Sequence, residues 1–336
     1  MKKKIGSWLG IAISVLFIVL LVRSLHIDEV KNELRQAQYF WLLPAVVFSL
    51  LSFIFRAERF RLILRPLSFF SLKRSYAYIA INYMGNNILP ARAGEALLSY
   101  VVRQKEGISF SSSLAVTLLG RVVDGLLMLS LLGVTLLFLP FPSWVNTIIL
   151  FGGVIFGGMF AGLVWLIFGK SQQQRAIQKA VHKLFPHKLQ PVLAKLFLLA
   201  GHFKNGLLPL RSPKIASKTA LFTFLIWSCE SVVYACVAQS LGLSFDVVTV
   251  LFALALTNLA SSVPSGPSSI GTFEGILLLG LGVLHFGPAQ AAAYAVVLHV
   301  TQVVPITLIG VVSYARLTLR GGKTAPVPTE QMMVAD

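Results

Sequence analysis

Acidic side chains are scarce in this chain. Twelve Asp and Glu stand against 29 Lys and Arg in 336 residues, and no acid occurs between Asp124 and Glu230. Charged residues of both signs make up only 12%, hydrophobic ones 56%, and the mean hydropathy is +0.79. So little polar material cannot clothe a soluble globule, and that class is excluded. The net charge of +17 does not by itself point to nucleic acid, because membrane proteins gather basic residues in cytoplasmic loops. Cysteine is almost absent. Cys229 and Cys236 lie seven residues apart in one apolar segment, where helical rise separates their Cα atoms by roughly 10 Å, beyond disulfide reach. No P-loop, His-Glu-x-x-His, Cys-x-x-Cys or Gly-x-Ser-x-Gly occurs. ATP hydrolysis and zinc or serine hydrolase chemistry therefore have no support, no metal or cofactor is implied, and the chain reads as a non-enzyme.

What is abundant is long apolar sequence. Judged against the roughly 20 apolar residues a bilayer crossing needs, full spans are expected at Ile5–Val22, Tyr39–Phe55, Leu114–Leu139, Trp144–Phe168, Thr219–Leu243 and Ala289–Ala315. Lys2, Lys3 and Lys4 before the first run resemble a signal peptide, but Arg23 ends the run without a small-residue cleavage site, so it reads as an uncleaved span. Two more apolar regions, Ser75–Val102 and Val247–Phe286, are interrupted by Pro, Gly and polar residues. Two complete crossings need about 40 residues, and the first region has 28. It reads as a re-entrant hairpin of two half-helices; the alternative makes Pro90 and Pro264 kinks in ordinary spans. The second region is long enough to leave that choice open. The expected fold is an all-α polytopic membrane protein with six full spans and two broken hairpins, or eight spans if the hairpins cross.

Loop charge sets the orientation. Arg56, Arg59, Arg61, Arg65, Lys73 and Arg74 follow the second expected span against one acid, Glu58, whereas Asp28, Glu29 and Glu33 offset Lys31 and Arg35 after the first. The loop at 169–218 is basic throughout, and Arg316, Arg320 and Lys323 follow the last span. By the positive-inside rule both termini and this loop are cytoplasmic, in a cytoplasmic (inner) membrane. Within the loop, Ile177, Val181, Leu184 and Phe185 alternate with Lys179 and Lys183 at helical spacing. That pattern suits a helix on anionic leaflet lipids, and equally a solvated linker helix. The tail, residues 316–336, turns polar and reads as disordered.

"NNILPARAGEALL" in the first broken region and "SSVPSGPSSIGTFEGILL" in the second share an order: small polar pair, aliphatics, proline, glycine-bearing break, glutamate, Leu-rich helix. Span, span, broken hairpin, span describes residues 1–143 and again 144–315. Three full crossings per half invert the second half relative to the first, and the two breaks are expected to meet at a shared polar site.

The blocks "NNILPARAGE", "GRVVDGLLML" and "PSSIGTFEG", in this order, resemble the flippase-like membrane family typified by the transmembrane region of lysylphosphatidylglycerol synthetases, as a stand-alone member without the aminoacyl-transferase domain. The resemblance runs from about Ile5 to Ala315 and implies transport of lipids or lipid-linked glycans. Two positions depart from the family pattern: Gly120 stands where an acidic residue commonly precedes the arginine, and Pro267 to Gly271 is poorer in glycine than usual.

Ionisable groups in apolar segments are costly, so each is a candidate. Arg92 is the expected phosphate ligand, since its planar fork stays charged and the half-helix after Pro90 adds free N–H groups; otherwise it pairs with Glu95. Asn86, Asn87, Pro90, Glu95, Arg121, Ser265, Gly271 and Glu274 complete the expected substrate site. Asp124, Glu230 and His299 are expected to carry protons or balance charge, with Asp124 either paired to Arg121 one turn away or free for that role, and Glu230 buried as a neutral acid. The function read from this is transbilayer movement of an anionic phospholipid or polyprenyl-phosphate-linked glycan, with a membrane lipid as substrate, no nucleic acid and an undetermined oligomeric state. The alternatives are an ion-coupled small-solute transporter and a non-transporting subunit of a lipid or glycan synthase.

Overall fold

The computed structural model describes residues 27–89, 93–138, 142–169, 190–261 and 266–319. The first expected span, the helix expected at Ile177–Phe185 and the tail after Leu319 lie outside them. Among the described residues every regular element is helical: α1 (Ile27–Gln36), α2 (Leu42–Leu64), α3 (Leu72–Ile88), α4 (Gly94–Glu106), α5 (Phe110–Thr135), α6 (Ser143–Phe168), α7 (Gln190–Leu207), α8 (Pro213–Ser240), α9 (Val247–Ala260), α10 (Thr272–Val283) and α11 (Pro288–Leu319), with short 3-10 turns between some of them. Five stretches are long and apolar enough to cross a bilayer: Tyr39–Leu64, Phe110–Thr135, Ser143–Phe168, Pro213–Ser240 and Pro288–Thr318. Each overlaps one of the last five of the six expected spans.

Two expectations need correction. The second span does not stop at Phe55 but runs on to Leu64, because nothing from Arg56 to Leu64 breaks a helix and Pro66 is the first residue that does. Arg56 and Arg59 thus belong to the spanning helix, not to a loop. The basic loop also holds α7, which packs along the start of α5: Ser112 Oγ donates to the His202 carbonyl at 2.6 Å.

Side-chain caps define several helix starts. Ser71 accepts from the Arg74 N–H at 3.3 Å, Ser109 from Ser112 at 3.1 Å and Asp246 from Thr249 at 2.7 Å. Contacts at one end of the bundle join Arg74 to Glu106 and Arg211 to the Ile167 carbonyl; Arg61, Arg65, Lys73, Arg103, Lys214, Lys218 and Arg316 occupy the neighbouring helix termini. At the other end the Gln38 N–H bonds the Ser240 carbonyl, and Asp28, Glu29, Glu33 and Asp246 outnumber Lys31 and Arg35.

The centre is the pair α2 and α8, running antiparallel, since Gln38 meets Ser240 at one end and Arg59 meets Thr223 toward the other. Around it the packing is crossed. In each broken region the two arms pack on each other, while α3 of the first lies on α11 and α9 of the second lies on α5. Two apolar cores result, one around Tyr234, Phe252, Tyr294 and Leu298, the other around Ile63, Tyr78, Leu98 and Ile306. Helix α6 stands apart: only Val145 and Ile167 are buried along it. Helices of 17 and 13 residues in the first broken region, 14 and 12 in the second, reach roughly 18–26 Å at 1.5 Å per residue, less than the ~30 Å hydrocarbon core.

At the first break α3 and α4 come into close contact at Gly94. A Cβ at Gly94 would lie 1.9 Å from the Asn82 carbonyl oxygen and 2.6 Å from Asn86 Oδ1, so α3 and α4 approach as closely as they do only because position 94 has none. Gly94→Ala should lower stability by roughly 1–3 kcal/mol, read as thermal unfolding in detergent, whereas Gly153→Ala, where a Cβ meets nothing within 4 Å, should not. A second prediction concerns pH. Hydrogen bonds from Thr249 hold the Asp246 carboxyl below the usual carboxylate range. The cap's contribution is therefore complete above pH ~4 and fades as acid protonates it. Asp246→Ala should cost about 1 kcal/mol at neutral pH, while Asp246→Asn should keep the cap and abolish its loss in acid.

Candidate functional site

The two breaks face one cavity of about 170 Å³, large enough for several waters or a compact headgroup. Its wall takes Asn86 and Asn87 from the end of α3, Ser268 and Ser269 from the second break, Arg56 from α2, Arg121 and Asp124 from α5, Trp227 and Glu230 from α8, and His299 and Gln302 from α11. Helix α3 also touches the turn Pro267–Ser269 directly. The helical pattern explains the convergence. Ser49, Ser52, Arg56 and Arg59 recur along one stripe of α2, and Thr223, Trp227 and Glu230 along the facing stripe of α8.

Charge in this wall is compensated pair by pair. Arg59 forks onto Asp124, Nη1 to Oδ1 at 2.7 Å and Nη2 to Oδ2 at 2.9 Å, and also donates to Thr223 Oγ1 at 2.8 Å. Trp227 Nε1 adds a donor to Asp124 Oδ1 at 3.1 Å. Arg56 reaches Glu230 Oε1 at 3.2 Å and Asp124 Oδ2 at 3.7 Å, with its guanidinium 5.0 Å from the Trp227 ring centroid and 5.5 Å from that of Tyr83. Glu230 accepts further from Ser52 Oγ at 2.7 Å and Gln302 Nε2 at 3.1 Å. Arg56 and Arg59 are 8% exposed and Glu230 5%, so removing any member would strand its partner in a medium that cannot solvate it. Arg56 Nε and Asn82 Oδ1 are buried with no hydrogen-bond partner. Both residues line a smaller cavity of about 50 Å³, which shares Arg56, Arg121, Asp124 and Tyr83 with the larger one.

At the first break Glu95 binds Arg121, Oε1 accepting from Nη2 at 2.8 Å and Nε at 3.2 Å, and Asn86 Nδ2 adds a third bond at 3.2 Å. Asn86 Oδ1 accepts the Gly94 N–H at 2.9 Å, so one amide both starts α4 and steadies its carboxylate. Asn87 reaches across to Thr307 Oγ1 at 2.8 Å. At the second break Glu274 accepts the Gly271 N–H at 2.7 Å and His299 Nδ1 on its other oxygen, and His299 Nε2 lies 3.0 Å from Ser268 Oγ. Ser268 and Ser269 have φ of 56° and 59°, the left-handed region that glycine occupies without strain.

Of the residues singled out in the sequence, Asn86, Asn87, Arg121, Asp124, Glu230 and His299 line the larger cavity, while Glu95 and Glu274 bond to its lining. Gly271 has φ 87° and serves Glu274 through its N–H. Pro90, Arg92 and Ser265 lie outside the described residues. The partners differ from those expected. Asp124 pairs with Arg59 and Arg56 from α2 rather than with Arg121, and Glu230, which has no cation within a turn of its own helix, meets Arg56 across the α2–α8 contact. Arg56, Arg59, Tyr83, Trp227 and Ser268 escaped sequence reading. The signal for the first two was available, since Arg56 and Arg59 continue the stripe that Ser49 and Ser52 begin.

The family model of the lysylphosphatidylglycerol synthase transmembrane region matches residues 7–310. The chain is 27% identical to the glycosyltransferase AglD of Haloferax volcanii over 331 residues, covering 90% of this chain but 52% of that protein. It thus spans about half the length of that relative. UPF0104 membrane proteins of Methanocaldococcus jannaschii and Methanothermobacter thermautotrophicus are 25% and 21% identical, over 68% and 90% of this chain and 92% of each of theirs. No solved structure matches.

The pairing across helices predicts a specific pattern of energetic coupling. Asp124→Asn should destabilise by about 3–5 kcal/mol, leaving Arg59 uncompensated, and the double variant Arg59→Gln/Asp124→Asn should lose much less than the sum of the singles. The same cycle between Arg121 and Asp124 should give a small coupling, read from denaturant unfolding in detergent.

Proposed function

Because this chain belongs to the family of the lysylphosphatidylglycerol synthase transmembrane region, we propose that it carries a lipid with a phosphate-bearing headgroup, an anionic phospholipid or a polyprenyl-phosphate-linked glycan, between the leaflets of the cytoplasmic membrane. The observation that carries this reading is a cavity with guanidinium groups in its wall, Arg56 and Arg121, each held by a carboxylate that a phosphate can replace. A headgroup entering the cavity exchanges one ion pair for another, so no guanidinium is left without a counter-ion at any step. The freed carboxylates, Glu95 and Glu230, then take up protons or a cation. Arg92, three residues before Glu95, is assigned to the same phosphate from the side of the first break. The name of the relative AglD, a glycosyltransferase, agrees with a glycan-bearing lipid.

Transport between leaflets needs a site open to each side in turn. In support, the two halves exchange packing partners: α3 rests on the last helix of the second half and α9 on the last helix of the first. Each broken region thus rides on the opposite half, as inverted repeats related by a two-fold axis in the membrane plane require. Arms shorter than the hydrocarbon core favour re-entrant hairpins over complete crossings. The basic helix ends support a cytoplasmic setting for that face.

Transport of a cationic solute is the second reading, since Glu95, Asp124, Glu230 and Glu274 outnumber Arg56, Arg59 and Arg121 around the cavity. Proteoliposomes separate the two. With a fluorescent anionic phospholipid quenched from outside, the parental protein should equilibrate label across the bilayer. Arg121→Lys and Arg92→Lys should each slow it roughly tenfold, since an ammonium cannot reproduce the bidentate fork. Glu95→Gln should retain lipid movement but lose its response to a proton gradient. If Arg92→Gln and Arg121→Gln insert normally and move lipid at the parental rate, the phosphate assignment fails; gradient-driven solute uptake without lipid movement would favour the second reading.

A further inference from the structure

The second break contains an arrangement that transport alone does not call for. Ser268 Oγ lies 3.0 Å from His299 Nε2, and His299 Nδ1 bonds Glu274 Oε1. Glu274 is fixed in turn by the Gly271 N–H at 2.7 Å on its other oxygen. A carboxylate only accepts, so Nδ1 carries a proton, and the neutral imidazole presents its Nε2 lone pair to the serine hydroxyl. That is the polarity a general base needs. The imidazole has little freedom to turn away, since the Phe273 ring lies against it at 4.7 Å between centroids and its side chain is 10% exposed. Ser268 lines the cavity and is held at φ 56°, ψ 9°, a strained setting for a residue with a Cβ and one that recurs where a nucleophile is thrust out of a tight turn ahead of a helix. In sequence the turn is Gly266-Pro-Ser268-Ser-Ile-Gly271, one residue longer than the Gly-x-Ser-x-Gly elbow, so motif reading passes over it.

We propose that Ser268, His299 and Glu274 form a nucleophilic triad that cleaves a carboxylic ester presented in the cavity, as an acyl ester of a lipid would be. Ser268 Oγ bonds to the ester carbonyl carbon as the carbonyl π pair moves to oxygen, and the hydroxyl proton passes to His299 Nε2. The alkoxy C–O bond then breaks, the departing alcohol takes that proton, and the acyl group stays on Ser268. Water attacks the acyl carbon by the same route, releasing the carboxylic acid and restoring the hydroxyl. Glu274 offsets the imidazolium in both halves. The donors adjacent in sequence for the oxyanion are the N–H groups of Thr272 and Phe273 at the start of α10, which have no carbonyl to bond within the helix. The chemistry needs no cofactor and consumes only water.

The test is covalent labelling of the full chain, purified in detergent, with a fluorophosphonate probe and localisation by peptide mass spectrometry. The expected result is modification at Ser268, abolished in Ser268→Gly, which also relieves the positive φ and so preserves the fold, and retained in Ser269→Gly. His299→Gln and Glu274→Gln should slow labelling at least tenfold, with turnover of p-nitrophenyl butyrate falling in parallel. Absence of label on the folded parental protein, or label at Ser268 that His299→Gln leaves unchanged, overturns the triad. Labelling does not require lipid movement, so this proposal and the transport reading stand or fall separately.

Discussion

A guanidinium removed from water must be given carboxylates and hydrogen bonds in the same place, and the helices of this protein are arranged around that requirement. Arg56 and Arg59 leave α2 on the face turned to α8 and α5, and they meet Glu230 from the one and Asp124 from the other. Three helices distant in sequence are thereby locked in register. A slip of one residue would carry the arginines off that face, since successive positions on a helix are turned by about 100°. Apolar packing supplies most of the driving force, but it tolerates rotation far more readily than a forked Arg–carboxylate pair does.

The same constraint explains why the broken regions are broken where they are. An uninterrupted helix would bond its own N–H and C=O groups and offer nothing to a polar site. At the first break the Asn86 amide satisfies the Gly94 N–H and Glu95 together, and at the second Glu274 satisfies the Gly271 N–H and His299. In both, an acid near the start of a short helix meets a cation or imidazole from a longer one. The two solutions are chemically alike although the intervening sequences differ in length.

How much of this was legible in the sequence follows from the same distinction between local and crossed contacts. Spans are a matter of composition within one segment, and the five described ones lie close to where hydropathy put them. The end of α2 was misjudged because a charged residue normally costs too much inside a span, and what offsets that cost sits on α5 and α8, 65 and 174 residues away. Arg121 was the one partner the sequence offered Asp124 for the same reason: proximity along one helix is visible in sequence, proximity across helices is not. The positive φ of Ser268 and Ser269 was equally hidden, since only the glycine-poor turn pointed to that stretch and the backbone it would adopt could not be read from residue types.

The departure at Gly120 acquires a physical meaning from this network. A Cβ there would stand 3.2 Å from Arg59 Nη2, so the acidic side chain that the family resemblance leads one to expect would be a second counter-ion for Arg59. Without it Asp124 serves alone, holding Arg59 at 2.7 Å and Arg56 at 3.7 Å. Arg56 has Glu230 besides, at 3.2 Å, and Arg121 has Glu95 at 2.8 Å, so each guanidinium keeps a carboxylate, while Arg56 Nε beside the smaller cavity has no hydrogen-bond partner.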